Sequence, residues 1–151
     1  IKFVSIDPYR IVVTGRIKHF TSAFGEHVIA QEVERSIKEA LKKIPAQVKE
    51  FHVAPQVNPK SGLPYHEWLI EFENAPKNLT EFGLLIDSFL QKQNSYYRDL
   101  ISGNVLRPLK ITLVQKNGFV NYMSSIGKLG GQNKLPRLSN DRKIADKLIT
   151  I

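Results

Sequence analysis

Residues 47–54 and 66–73 have the composition of strands, and Asn58-Pro59-Lys60-Ser61-Gly62-Leu63-Pro64 lies between them. Proline and glycine at that density interrupt both helix and strand, so the chain must reverse direction there and a hairpin is expected. In the second stretch Trp68, Ile70 and Phe72 fall on one face, while Glu67, Glu71 and Glu73 fall on the other. That is the period of a strand with one apolar face, and such a face must be covered by another layer.

The cover is expected from two helices. Apolar residues at 29, 33, 37, 40, 41 and 44 recur at helical spacing over 28–44, and Pro45 ends that run. Asn78-Leu79-Thr80-Glu81 reads as a capped helix start. Leu79, Phe82, Ile86, Phe89 and Leu90 then form a stripe reaching about residue 93. Residues 1–6 and 10–14 read as a second small hairpin around Asp7-Pro8-Tyr9, and Gly15 to Gly25 as a loop. Tyr96–Ser102 reads as a short helix ended near Gly103-Asn104, and 105–115 as a strand broken or edged at Pro108. A short helix is expected around 119–125 and another over 140–149, with Asn140 as its cap. The order ββαββααβαα places the chain in the α+β class: a small mixed, largely antiparallel sheet with helices packed on it.

At 151 residues the chain suits one domain with a core of its own. It has no cysteine, which excludes disulfides, thiolate metal sites and a cysteine nucleophile. No apolar run approaches the ~18 residues of a membrane span, and a cytoplasmic protein that engages no membrane is expected. The start, Ile-Lys-Phe-Val-Ser-Ile, lacks Met and reads as a strand already under way, so a piece of a longer protein is expected. Net charge is +8, of which +5 falls after residue 115: seven Lys or Arg against Asp141 and Asp146. Such a field attracts phosphates or nucleic acid.

Two loops stand out. Gly130-Gly131-Gln132-Asn133-Lys134-Leu135-Pro136-Arg137 puts one lysine on a backbone loosened by glycines and stiffened by a proline. It can carry an ammonium into another domain's pocket, or it is a solvated basic loop. Gly15-Arg16-Ile17-Lys18-His19-Phe20-Thr21-Ser22-Ala23-Phe24-Gly25-Glu26-His27 ends a strand and leads into a helix, with hydroxyls, a lysine and two histidines between its glycines. Loops on a rigid scaffold concentrate function. His52 and His66 lie on strands and read as structural, as does Trp68 in the core. Tyr96-Tyr97-Arg98 reads as a surface helix. No His, Asp and Glu spacing suggests a metal cage.

Gly15-Arg16-Ile17-Lys18, Gly25, and Glu32-Val33-Glu34 together resemble the start of the mobile C-terminal domain of adenylate-forming enzymes, and Lys134-Leu135-Pro136-Arg137 resembles that superfamily's terminal motif. The closer wording, His19 to His27 and Gln132 to Leu138, is similar to the auxin-responsive promoter family of acyl acid-amido synthetases, in particular its bacterial members. The resemblance runs over essentially the whole chain. It implies that residues 1–151 are a lid that rotates over a larger N-terminal domain holding ATP, Mg²⁺ and the acid. It implies adenylation of a carboxylic acid, then attack by the amine of an amino acid to give an amide and AMP.

On the same resemblance Lys134 serves adenylation, Lys18 matches the hinge, and Arg16 matches a position near the ribose or the hinge. Arg137 serves the nucleotide phosphate or a salt bridge within the tail. Phe20, Thr21, Ser22, Phe24, Gly25 and His27 form the loop of the second half-reaction, the two aromatics either closing over the acyl-adenylate or packing the lid. His27 stands where CoA-using relatives carry a basic residue; it assists proton transfer, starts the helix or meets the partner domain. Glu32 ties its helix to the loop. The chain alone is expected to be inert. The other readings are the lid of an acyl-CoA ligase and a basic nucleic-acid-binding module. The leading reading has no nucleic-acid partner, only the N-terminal domain and the two substrates.

Overall fold

The structure, a computed structural model, describes residues 2–6, 8–12, 20–130 and 133–150. Strands β1 (Lys2–Ile6) and β2 (Tyr9–Val12) pair antiparallel, and so do the two-residue strands β3 (Phe20–Thr21) and β4 (Val28–Ile29). Helix α1 (Ala30–Leu41) follows, then the long strands β5 (Gln47–Gln56) and β6 (Tyr65–Asn74), antiparallel as the turn-rich loop requires. Helices α2 (Leu79–Gln93) and α3 (Ser95–Ser102) lead to β7 (Lys110–Leu113), which runs parallel to β6. Helices α4 (Gly118–Ser125) and α5 (Lys143–Thr150) complete the described chain. The class is α+β, as the mixture of patterns requires.

The three-stranded sheet β5-β6-β7 is covered on both faces. Phe51, Val53, Trp68 and Ile70 pack with Val33, Ile37, Phe82, Ile86, Leu90 and Tyr97 from the first three helices. On the other face Ala54 and Leu69 meet Phe119 and Tyr122 of α4 and Ala145 and Leu148 of α5. The two-helix cover is therefore corrected to a layer on each side. On the acidic face of β6, Glu67 and Glu71 are correspondingly buried and each is matched, while Glu73 at the strand's end is exposed. Glu67 pairs with Arg142 at 2.8 Å and accepts from the Thr112 hydroxyl at 2.5 Å. Glu71 pairs with Lys49 at 3.0 Å and accepts from the backbone N–H groups of Asn117 (2.7 Å) and Phe119 (3.4 Å). It thus supplies the start of α4 with the negative partner that a helix N-terminus prefers. Burial pushes the Glu71 carboxyl up, but the Lys49 hydrogen bond and those N–H groups outweigh it and hold it below the usual carboxylate range.

Several boundaries move for identifiable reasons. Residues 28–29 are extended, and α1 starts at Ala30 because Glu32 Oε2 accepts from the N–H of Ile29 at 3.0 Å. The strand expected over 105–115 shrinks to β7. Upstream of it, the N–H of Leu109 donates to the buried Asp87 Oδ1 at 3.0 Å rather than to a neighbouring strand. Tyr97 is not a surface residue: it is fully buried, and its hydroxyl donates to the same Asp87 oxygen at 2.6 Å. Asn140 is not the cap of α5. Asp141 Oδ1 accepts from the N–H of Lys143 at 3.0 Å, while Asn140 is used elsewhere. Among the described residues no helix is long and apolar enough to cross a membrane.

Candidate functional site: the lysine loop and its roots

Lys134 is exposed, and the chain on its C-terminal side is fixed to the free edge of β5. The N–H of Val53 donates to the Arg137 carbonyl at 2.9 Å, and the N–H of Ser139 donates to the Val53 carbonyl at 3.0 Å. Between these bonds Leu138 forms a parallel bridge with Val53 and is completely buried. His52, also buried, places Nδ1 2.8 Å from the Pro136 carbonyl and Nε2 3.1 Å from Ser139 Oγ. A carbonyl only accepts, so Nδ1 carries the proton of the neutral ring. Directly after Lys134, Leu135 packs with the α4–α5 cluster, and directly before it the Asn133 amide donates to the Gly130 carbonyl at 3.3 Å. Gly130 has a φ of 86°, the left-handed region that glycine enters freely.

The Phe20–His27 loop is stitched to the same tail. The Thr21 hydroxyl donates to the Ser139 carbonyl at 2.8 Å, and the N–H of Ser22 donates to Asn140 Oδ1 at 2.8 Å. The loop turns sharply at Gly25 (φ 92°) and His27 (φ 47°). Glu26, fully buried, holds the turn: one oxygen accepts from the N–H of Phe24 at 2.8 Å and the other meets His66 Nε2 at 2.8 Å. The Asn94 amide donates to the Glu26 carbonyl at 3.0 Å and to Glu32 Oε2 at 3.1 Å, so Glu32 joins α1 to this loop and to α3. Phe24 packs partly against the main core. His27 is exposed, with its ring centroid 5.6 Å from that of Phe20.

Lys134 borders an open groove of about 860 Å³ floored by Phe119, Met123, Leu135 and Pro136, with Lys49, Lys128, Glu34 and Glu50 along its sides. Arg137 lines it as well but is already engaged. Its guanidinium lies 3.2 Å from Glu34, bonds Glu50, and sits 4.8 Å over the Phe51 ring. Contact with a phosphate would compete with those two carboxylates. The basic tail is thus less positive than its composition implies, because Arg142 and Lys143 also have acidic neighbours. Lys134 and Lys128 differ: among the described residues neither is in an ion pair.

Of the residues selected from sequence, Thr21, Ser22, Lys134 and Arg137 belong to two loops that the fold joins directly. Arg16 and Lys18 lie outside the described residues. Sequence reading assigned His52 only a structural place and passed over Ser139 and Lys49. Their partners are dozens of residues away, and no local spacing signals them.

Two buried groups set a pH dependence. Burial lowers the pKa of His52, so the neutral ring is the folded form. The unfolded chain then binds the additional proton, and stability from this group falls as pH drops below the ordinary histidine value of about 6.5. For Glu26, burial pushes the carboxyl up, but the hydrogen bond and charge of His66 prevail and its pKa is lowered. Its contribution is present above the ordinary glutamate value of about 4.3 and is lost as pH falls below that. Denaturant unfolding from pH 8 to pH 3 should show two successive losses, and His52→Leu should remove the first.

A family model described as the GH3 family C-terminal domain matches residues 31–143. Among solved structures, the chain is similar to one described as GH3.15 acyl acid amido synthetase, with a TM-score of 0.71 and 17% identity over 90% of this chain and 27% of that one. It is likewise similar to AtGH3.15 acyl acid amido synthetase in complex with 2,4-DB, with a TM-score of 0.68 and 17% identity over 90% of this chain and 26% of that one. The chain therefore spans about a quarter of the length of those synthetases. No curated protein matches it. Since the family model covers most of the sequence, the chain belongs to the GH3 family as its C-terminal domain.

Proposed function

We propose that residues 1–151 are the lid of an ATP-dependent acyl acid-amido synthetase whose larger N-terminal domain holds most of the ATP and acid sites. In the first half-reaction a carboxylate oxygen attacks the α-phosphorus of ATP, the bond to the β-phosphate oxygen breaks, and pyrophosphate leaves. In the second, the amine of an amino acid attacks the acyl carbon, AMP leaves, and the nitrogen gives up a proton. The observation that carries this reading is an exposed lysine, in no ion pair among the described residues, on a loop anchored to the fold on its C-terminal side, in a domain of this family.

Lys134 meets the negative charge that grows on the α-phosphate during attack. A donor already held in place needs no reorganisation at that moment, which makes it effective. The Phe20–His27 loop serves the second half-reaction after rotation of the lid, Phe20 and Phe24 excluding water from the acyl-adenylate. Arg16 and Lys18 serve the hinge, where a few backbone angles absorb the rotation. Arg137 steadies the loop through Glu34 and Glu50 and turns to phosphate only by releasing one of them. Mg²⁺ enters with ATP on the N-terminal domain, and among the described residues no group of His, Asp and Glu is arranged to hold it.

The test is acid-dependent ATP–pyrophosphate exchange by the full-length protein over a panel of acids, followed by amide formation with a panel of amino acids. Exchange followed by amide is expected, and the 151-residue chain alone should give neither. Thioester formation with CoA in place of amide would transfer the reading to an acyl-CoA ligase. Absence of exchange across the panel would overturn it.

A further inference from the structure

We propose that His52 is a positioning residue for Lys134, fixing the lysine loop from beneath by holding Pro136 and Ser139 at once. The proposal rests on the reading of Lys134 as the adenylation lysine. Two residues of chain span at most about 7 Å, so the height and direction of Lys134 depend on where Pro136 is held. Pro136 is rigid in φ, and its carbonyl receives the Nδ1–H of His52 at 2.8 Å. The other ring nitrogen faces Ser139 Oγ at 3.1 Å, on the far side of the buried Leu138. One imidazole therefore clamps the tail on either side of its bridge to Val53.

The clamp is specific in its chemistry. An apolar residue at position 52 would leave the Pro136 carbonyl without its donor and would take away the second place where the Ser139 hydroxyl can direct its proton. That hydroxyl has one proton and two acceptors, His52 Nε2 and the Asp141 carbonyl, the latter at 2.7 Å. Ser139 also accepts the Thr21 hydroxyl at its carbonyl. The clamp consequently reaches the Phe20–His27 loop, and loosening it frees the tail on the side that carries Lys134. Misplacing a catalytic group by about 1 Å is enough to cost up to roughly 10²-fold in rate.

The experiment measures ATP–pyrophosphate exchange by the full-length protein in a four-way cycle of wild type, Lys134→Ala, His52→Leu and the double variant. His52→Leu should lower kcat by about tenfold with little change in KM for ATP. The double variant should be no slower than Lys134→Ala, because a residue that acts through Lys134 has nothing left to act on. His52→Asn, whose amide nitrogen takes the Nδ1 position, should recover most of the loss. Ser139→Ala, which keeps the His52–Pro136 bond and removes the hydroxyl with its contacts to His52 and the Asp141 carbonyl, gives a milder version of the same cycle should His52→Leu fail to fold. Losses that add in the double variant, or a folded His52→Leu or Ser139→Ala protein with unchanged kcat, would overturn the proposal. If Lys134→Ala itself leaves exchange intact, the underlying reading falls and the positioning role falls with it. A Lys134→Ala loss beside an inert His52 would remove the positioning role alone.

Discussion

Replacing Lys134 by alanine should lower acid-dependent ATP–pyrophosphate exchange by the full-length protein about 10²–10³-fold, roughly 3–4 kcal/mol of transition-state stabilisation. The KM for ATP should change little, since an interaction formed mainly in the transition state appears in kcat. Of the groove's described cations, Lys134 and Lys128 are exposed and in no ion pair, and Lys134 is the one on the loop anchored through Pro136. Lys49 is bound to Glu71 and Asn117, and Arg137 is bound to Glu34 and Glu50. Lys134, exposed between Asn133 and the anchored Leu135, is in no ion pair among the described residues and can give its whole charge to a ligand. Lys134→Arg should recover only part of the rate, because a planar guanidinium does not reproduce a compact ammonium at the same point. Lys134→Ala with full exchange but slow amide formation would move the residue to the second half-reaction. Full activity in both steps would leave it a solvated loop lysine.

How much of this was legible depends on whether the determining contacts are local. The central hairpin followed from the loop 58–64, and α2 from Asn78, whose side chain does accept from the N–H of Glu81 at 3.0 Å. Both signals lie within a few residues of what they control. The burial of Glu67 and Glu71 was not legible, because alternating glutamates on a strand look alike whether they face water or a second helical layer. Their partners Arg142 and Lys49 come from distant sequence. The short β7 has the same origin, since Asp87, on a helix, captures the N–H that would have extended the strand. At the site, Gly130 and Pro136 marked the lysine loop as one with controlled freedom. Its attachment to His52 and Val53 spans more than eighty residues of sequence, and nothing near Lys134 announces it. Arg137 carries the reverse lesson. A basic residue in a basic tail suggests phosphate, yet two glutamates from α1 and β5 reach it first.

Removing the Glu26 carboxylate should be the most destabilising single change in the Phe20–His27 loop. Glu26 and His66 are both fully buried and meet at 2.8 Å. Among the described residues His66 Nδ1 has no hydrogen-bond partner, so Glu26 is the one polar contact of that ring. Glu26→Ala leaves the imidazole without any, releases the N–H of Phe24, and relaxes a turn that depends on positive φ at Gly25 and His27. Breaking a buried pair from one side costs about 3–5 kcal/mol, a large share of the 5–15 kcal/mol that holds a domain together. At this chain length that corresponds to a fall in Tm of roughly 6–20 °C. Glu26→Leu combined with His66→Phe should recover much of the loss, because exchanging both partners for apolar groups removes the stranded polar atom as well. Thermal and urea unfolding of the 151-residue chain would measure both variants. A single variant within about 1 kcal/mol of wild type would mean that the imidazole finds water or another partner once Glu26 is gone. A double variant no better than the single would place the cost in the lost Phe24 contact and the turn. In either case the remaining stitches, Thr21 to Ser139 and Ser22 to Asn140, would be what holds the loop beside the lysine.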